Sequence, residues 1–115
     1  MNAIAKEMSK ESKTMYSMDN LRKLPKIGEL SPDAMTAFWA YDKAALADGA
    51  IPKKYKELMA IAVALTTQCS YCIELHRQAA LKAGVTEQEL AETVHVAVAL
   101  RAGGGITHGT HLFGG

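Results

Sequence analysis

The segment ELMAIAVALTTQCSYCIELH, residues 57–76, holds the most apolar part of this chain and both of its cysteines. Residues 59–65 are apolar on every side, and Ala occupies three of these seven positions, which favours a helix over a strand. No Gly or Pro separates this run from the cysteines, so residues 66–68 are the only candidate for a break, because Thr is a poor helix former and a competent cap. The segment predicts two helices that meet near Thr67.

The second of these helices would carry Cys69, Cys72 and His76 on a single face. The three residues are separated by steps of three and four, which a helix aligns along one stripe. Two thiols at the start of a helix are favourably placed for redox chemistry, because the free N–H groups there stabilise a thiolate and a second thiol one turn away can close a disulfide. His76 is spaced to take a proton from Cys72, since imidazole titrates near neutral pH.

Glu57 enters this site only if the chain reverses direction. In one straight helix, Glu57 would lie about 18 Å along the axis from Cys69. If the chain reverses near Thr67, however, Glu57 stands ten residues before the turn and His76 nine residues after it, so the two become neighbours. A carboxylate in that position can orient the imidazole and stabilise its protonated form.

Local signals predict further helices on both sides of this pair. Ser31-Pro32-Asp33 is typical of a helix start, and Thr86 with Glu89 forms a capping-box pattern. The predicted helices run from 32 to a stop at Gly49, from Pro52 to about 65, from about 69 to 83 before Gly84, and from 86 to about 102 before the glycines at 103–105. Residues 1–19 predict a short helix or a mobile arm. We therefore expect a single all-α domain over residues 1–115, a bundle of about five to six helices with an antiparallel pair that carries the cysteines.

Composition excludes several classes of protein. Thirteen Lys and Arg residues nearly balance twelve Asp and Glu residues without a clustered basic face, so we expect no nucleic-acid partner. The longest apolar run is far too short to cross a bilayer, and the N-terminus does not resemble a secretory signal, so we expect no membrane partner and a cytoplasmic location. Helices around 59–65 and 94–100 are apolar nearly all round, which predicts a homo-oligomer.

These residues carry a resemblance to a known family. Glu57, the Cys69-Ser70-Tyr71-Cys72 motif and His76 resemble the core motif of the carboxymuconolactone decarboxylase family in its alkylhydroperoxidase, AhpD-like branch. The glycines at 103–105 and the His-Gly-Thr-His sequence at 108–111 are similar to the C-terminal segment of that family. The resemblance covers roughly residues 30–113, and the combined spacing is far more specific than a lone Cys-x-x-Cys.

The resemblance implies a fold, an assembly and an activity. It implies an all-helical homo-oligomer, commonly a hexamer built as a trimer of dimers, and a thiol-dependent peroxidase that serves antioxidant defence without a cofactor or metal. Its substrate would be a peroxide and its partner a thiol or dithiol reductant. Cys72 would be the peroxidatic thiol, Cys69 the resolving thiol, and His76 with Glu57 a proton relay. Tyr71 stands where the AhpD branch has a His, so a role for that His is absent here.

Other interpretations of the same residues remain open at this stage. The cysteines and His76 could bind zinc, with a fourth ligand from His95, His108 or His111, or the cysteines could be inert core residues. A lactone-acid decarboxylase without thiol chemistry is a further alternative within the family. Three residues between 35 and 39 are predicted to be core (Met35, Phe38, Trp39), His95 to lie in the core or an interface, and His108 and His111 to hold the C-terminal tail against a neighbour.

Overall fold

The computed structural model describes residues 17–115, and all of their regular structure is helical. Five α-helices follow one another along the chain: α1 (Leu24–Leu30), α2 (Pro32–Leu46), α3 (Lys53–Thr67), α4 (Ser70–Lys82) and α5 (Glu87–Gly109). Two short 3-10 segments flank them, at Met18–Lys23 and at Thr110–Leu112. The prediction of an all-α fold is confirmed. Most of the predicted N-terminal helix or arm lies outside the described residues.

The residues fall into two compact units, one that ends at Ala47 and one that spans Asp48–Gly115. In the first unit, α1 packs against α2, and Met35 lies over Gly28. The rings of Phe38 and Trp39 contact each other at a centroid distance of 5.2 Å, yet 52% and 46% of these residues are exposed. The prediction that Phe38 and Trp39 are core residues is therefore wrong for the isolated chain.

The second unit contains the antiparallel helix pair. Helix α3 ends at Thr67, and Gln68 adopts a left-handed conformation with a φ of 57° that turns the chain back on itself. The N–H of Cys69 then donates to the carbonyl of Ala64 at 3.1 Å and closes the end of α3. The predicted reversal near Thr67 is confirmed, and it rests on a single residue in the left-handed region.

A small apolar core holds α3, α4 and the start of α5 together. Ile61 from α3, Ala80 from α4 and Val85 from the connection to α5 are buried against one another. Leu58, Leu65 and Leu90 pack around them. The predicted helix stop at Gly84 is confirmed, because Gly84 has a φ of 90° that suits a residue without Cβ.

Helix α5 begins as predicted but does not end as predicted. At its start, Thr86 Oγ1 accepts the N–H of Glu89 at 3.1 Å, and Glu89 accepts the N–H of Thr86 at 2.9 Å. The glycines at 103–105 were expected to end the helix, but they lie inside it, and α5 continues to Gly109. A glycine stop requires a positive φ, which none of these three adopts, and a helical glycine costs only about 1 kcal/mol relative to alanine.

Residues 17–115 include no helix that is both long enough and apolar enough to cross a membrane.

Candidate active site

The two cysteines lie at the N-terminus of α4. Cys69 is the N-cap of this helix, and Cys72 is in its first turn. The backbone N–H of Cys72 donates to Cys69 Sγ at 3.3 Å, so the sulfur of Cys69 takes the place of a capping oxygen. The two residues form a disulfide, with their Cα atoms 5.3 Å apart, within the range that an S–S bond requires. The helix start therefore supports both states of the pair: the first-turn N–H stabilises a thiolate, and the spacing permits the bond.

His76 and Glu57 form the second half of the site. His76 lies one turn beyond Cys72 on α4, and its Nδ1 is 2.6 Å from Oε2 of Glu57 on α3. The Glu57 side chain is only 2% exposed, whereas that of His76 is 24% exposed. An ionised Glu57 accepts the Nδ1–H of His76, which leaves Nε2 as the acceptor for a proton from a thiol. The reversal at Gln68 thus brings together two residues that are nineteen positions apart.

Sequence reasoning missed a third member of this group. Lys53, in the first turn of α3, places its Nζ 3.2 Å from Oε1 of Glu57. The i, i+4 spacing of Lys53 and Glu57 is a recognised helix pairing and was visible in the sequence. Such pairs are usually solvent-exposed and contribute little to stability or function. This pair differs because Glu57 is buried.

A neighbouring ion pair joins α3 to α5 beside the site. Lys54 Nζ lies 3.1 Å from Oε2 of Glu89. The pKa of Glu89 is lowered from its ordinary value, first by the backbone N–H of Thr86 that its carboxylate accepts and then by Lys54. The two adjacent lysines therefore serve different carboxylates, one within the site and one between helices.

The other three histidines differ from His76 in that all of them are exposed. His95 is exposed in the single chain, so the prediction of a core position is wrong, and an interface position stays a prediction. The rings of His108 and His111, both exposed, have centroids 5.9 Å apart, and Nδ1 of His108 lies 3.3 Å from the carbonyl oxygen of Gly104. Across the part of the chain that the structure describes, no three His, Cys, Asp or Glu side chains form a set that could hold a metal ion.

Two relatives resemble this chain over much of its length. It is 44% identical over 72 residues to "Uncharacterized protein 4 in cox locus" of Paracoccus denitrificans, a match that covers 63% of this chain and 65% of that protein. It is 37% identical over 98 residues to a protein of Cupriavidus necator, covering 85% and 84% of the two chains. An alkyl hydroperoxide reductase of Mycobacterium tuberculosis is 38% identical over 64 residues, but the match covers 54% of this chain and 19% of that protein.

Solved structures share the fold. A carboxymuconolactone decarboxylase family protein from Legionella pneumophila, in its apo form, superposes with a TM-score of 0.69 and 38% identity over 76% of this chain and 80% of its own. A protein from Methanobacterium thermoautotrophicum superposes with a TM-score of 0.71 and 31% identity, over 75% of this chain and 97% of its own. The model of the carboxymuconolactone decarboxylase family matches residues 32–113, which include every residue of the site. With its helical pair, its cysteine motif and its Glu–His contact, the chain belongs to the carboxymuconolactone decarboxylase family.

Proposed function

We propose that this protein is a thiol-dependent peroxidase of the alkylhydroperoxidase type that acts in antioxidant defence. The observation that carries the proposal is the 2.6 Å contact between Glu57 and His76 on the helix whose first turn holds the cysteine pair. A redox pair alone could be structural, and a buried Glu–His pair alone could be a satisfied core contact. A redox pair one helical turn from an imidazole that a carboxylate orients is the arrangement that activates a nucleophile.

The proposed cycle begins with Cys72. His76 accepts the Cys72 proton, and the thiolate attacks one oxygen of a hydroperoxide, ROOH. The O–O bond breaks, Cys72 becomes a sulfenic acid, and the departing alkoxide takes the proton from His76 and leaves as ROH. Glu57 stabilises the imidazolium that exists between these two proton transfers.

Cys69 completes the oxidation. Its thiolate, stabilised by the first-turn N–H of Cys72, attacks the sulfenic sulfur, and hydroxide leaves as water after protonation. The sum is one hydroperoxide and two thiols converted to an alcohol, water and one disulfide, a transfer of two electrons. An external dithiol then reduces the disulfide through a mixed disulfide on one cysteine and is itself oxidised.

This chemistry requires a reductant and favours a reducing compartment. A cycle that ends in a disulfide requires a thiol or dithiol partner, which a reducing compartment such as the cytoplasm supplies. The mycobacterial relative supports the peroxidase proposal by its name, although the match covers 19% of that protein. Tyr71, half-buried between the cysteines, cannot act as a base at neutral pH, so the proposed relay uses His76 and Glu57 without a further histidine.

The experiment that tests the proposal counts thiols. Reduced protein receives one equivalent of an organic hydroperoxide, and free thiols are titrated before and after the addition. We expect both thiols to disappear as an intramolecular disulfide, with one alcohol formed per chain. Unchanged thiols would overturn the proposal and favour the lactone-acid decarboxylase, whose chemistry has no evident need of the pair. A stoichiometric zinc content would favour the zinc-binding alternative.

A further inference from the structure

Glu57 is held from two sides. Its Oε2 faces Nδ1 of His76 at 2.6 Å, and its Oε1 faces Nζ of Lys53 at 3.2 Å. Because the carboxylate is almost fully buried, each oxygen depends on a protein partner. We propose that Lys53 is a positioning residue: it holds the carboxylate of Glu57 so that Glu57 holds His76 in the tautomer that can receive a thiol proton. This inference rests on the proposed function, since it assigns a task within the same relay.

The start of α3 fixes Lys53 in place. Pro52 is the N-cap of the helix and has no side-chain group that can accept the first free N–H groups. Asp48, in the preceding loop, supplies that acceptor: its Oδ1 accepts the N–H of Lys53 at 2.6 Å. The backbone of Lys53 is thus anchored one turn before Glu57. Its side chain, 48% exposed, lies along the helix with its ammonium on the buried carboxylate.

Charged groups on the neighbouring elements have other partners or contact Glu57 elsewhere. His76 on α4 contacts Oε2 of Glu57. Glu89 on α5 is paired with Lys54. Asp48 accepts the backbone N–H of Lys53 through its Oδ1. Lys53 therefore provides positive charge at Oε1, while Lys54, its neighbour in sequence, serves a pair outside the site.

Removal of the Lys53 ammonium changes what Glu57 can do. A buried carboxylate oxygen without its cation is costly, so Glu57 either turns away from its present orientation or takes up a proton. In both cases the acceptor at Oε2 for the Nδ1–H of His76 is weakened. His76 then divides between its two neutral tautomers, and a tautomer with its proton on Nε2 cannot receive the thiol proton there.

The test compares four variants of the reduced protein: Lys53→Met, Lys53→Gln, Lys53→Arg and, as the matched control, Lys54→Met. Nitrogen-15 NMR reports the tautomer of His76, and the rate of alkylation by iodoacetamide reports how readily the thiols ionise. We expect Lys53→Met to mix the tautomers and slow alkylation about tenfold, a fraction of what a general base contributes. Lys53→Arg should restore both readouts, and Lys54→Met should leave both unchanged while lowering the free energy of unfolding.

One result would overturn the proposal. If Lys53→Met keeps the wild-type tautomer and alkylation rate and loses only stability, as Lys54→Met does, then Lys53 is purely structural and the proposal is wrong. If Lys53→Met does not fold, Lys53→Gln, which keeps a donor without the charge, replaces it in the comparison with Lys53→Arg. Neither readout uses peroxide, so a failed peroxidase proposal, seen as wild-type thiols that survive hydroperoxide, is distinguishable from a failed role of Lys53.

Discussion

At the scale of single residues, the two cysteines differ in their position relative to α4. Cys69 and Cys72 are both half-buried in the structure. Cys69 precedes α4 as its N-cap and accepts an N–H, whereas Cys72 lies within the helix, one turn before His76. Cys69 accepts an amide N–H, and Cys72 shares a helix face with His76, so the two positions support different roles within the pair.

Serine substitutions separate these roles. Cys72→Ser should abolish peroxide consumption, because the thiol that shares a face with His76 is gone. Cys69→Ser should permit one turnover that stalls as a sulfenic acid on Cys72, because no second thiol can resolve it. Mass spectrometry after dimedone trapping measures the sulfenic acid. If Cys72→Ser formed it at the wild-type rate, the roles would be reversed.

At the scale of helices, two short features determine where the site residues meet. The left-handed Gln68 sets the angle at which α4 returns along α3, and so places His76 against Glu57. The capping box of Thr86 and Glu89 sets the start of α5, and Lys54 ties that start to α3. Both features involve only a few residues but position whole helices.

Gln68→Val should lower the free energy of unfolding by about 1–2 kcal/mol, because a β-branched side chain in the left-handed region clashes with its own backbone. The variant should also slow thiol alkylation, since the same turn positions His76. Urea denaturation measures the stability. Gln88→Val, in the first turn of α5, is the matched control and should cost less than half as much. Equal losses in the two variants would show that the turn carries no such constraint.

Glu89 should make stability depend on pH. Its pKa is lowered in the folded chain, so the stabilisation it provides is fully present above its ordinary pKa of about 4.3 and is lost as pH falls through the lowered value. Glu89→Gln keeps a capping-box side chain without the charge. We expect the wild type to be more stable than this variant at pH 7, and the difference to shrink as pH falls below the ordinary pKa and to vanish below the lowered one.

Urea titrations at several pH values measure that difference. Glu87→Gln removes a charge from the same first turn and serves as the control, with a smaller effect that comes from the helix dipole alone. A difference between wild type and Glu89→Gln that stayed constant from pH 7 to below pH 4 would contradict the prediction.

At the scale of the whole molecule, many large apolar side chains remain uncovered in the single chain. On α3, Met59 and Val63 are 53% and 60% exposed, and on α5, Val96 and Leu100 are 57% and 69% exposed. These positions belong to the two segments whose all-round apolar character predicted assembly. Exposed apolar surface of this kind usually marks an interface. We propose that copies of this chain cover it, in a closed symmetric homo-oligomer.

Light scattering at low micromolar concentration tests the assembly. We expect a mass several times that of one 115-residue chain, with six copies as the number that the family resemblance implies. Leu100→Asp should reduce the mass, because it places a charge on the apolar face of α5. Leu30→Asp, at a residue that is 74% exposed in the first unit, is the control and should leave the mass unchanged.

Each possible outcome tests a different part of the assembly proposal. The mass of one chain for the wild type would refute the assembly. A dimer or trimer would discard only the number six. If Leu30→Asp reduced the mass and Leu100→Asp did not, the interface would lie on α1 and not on α5.

The sequence by itself determined the features that depend on residues within a few positions of one another. Helix starts after Ser31, Pro52 and Thr86 were readable, because caps and first-turn prolines act within a single turn. The contact between Glu57 and His76 was also predictable, although they lie far apart in sequence. One reversal and the regular rise of two helices relate their positions, so simple geometry was sufficient.

Only the tertiary structure decided which surfaces are covered and which partners a buried group finds. The helical state of the glycines at 103–105 and the exposure of Phe38 and Trp39 could not be read from local pattern. The importance of Lys53 could not be predicted either, because an i, i+4 Lys–Glu pair has the same sequence pattern on a solvent-exposed face and in a buried site. Burial gives that pair its weight, and burial arises from the packing of helices that the local sequence does not specify.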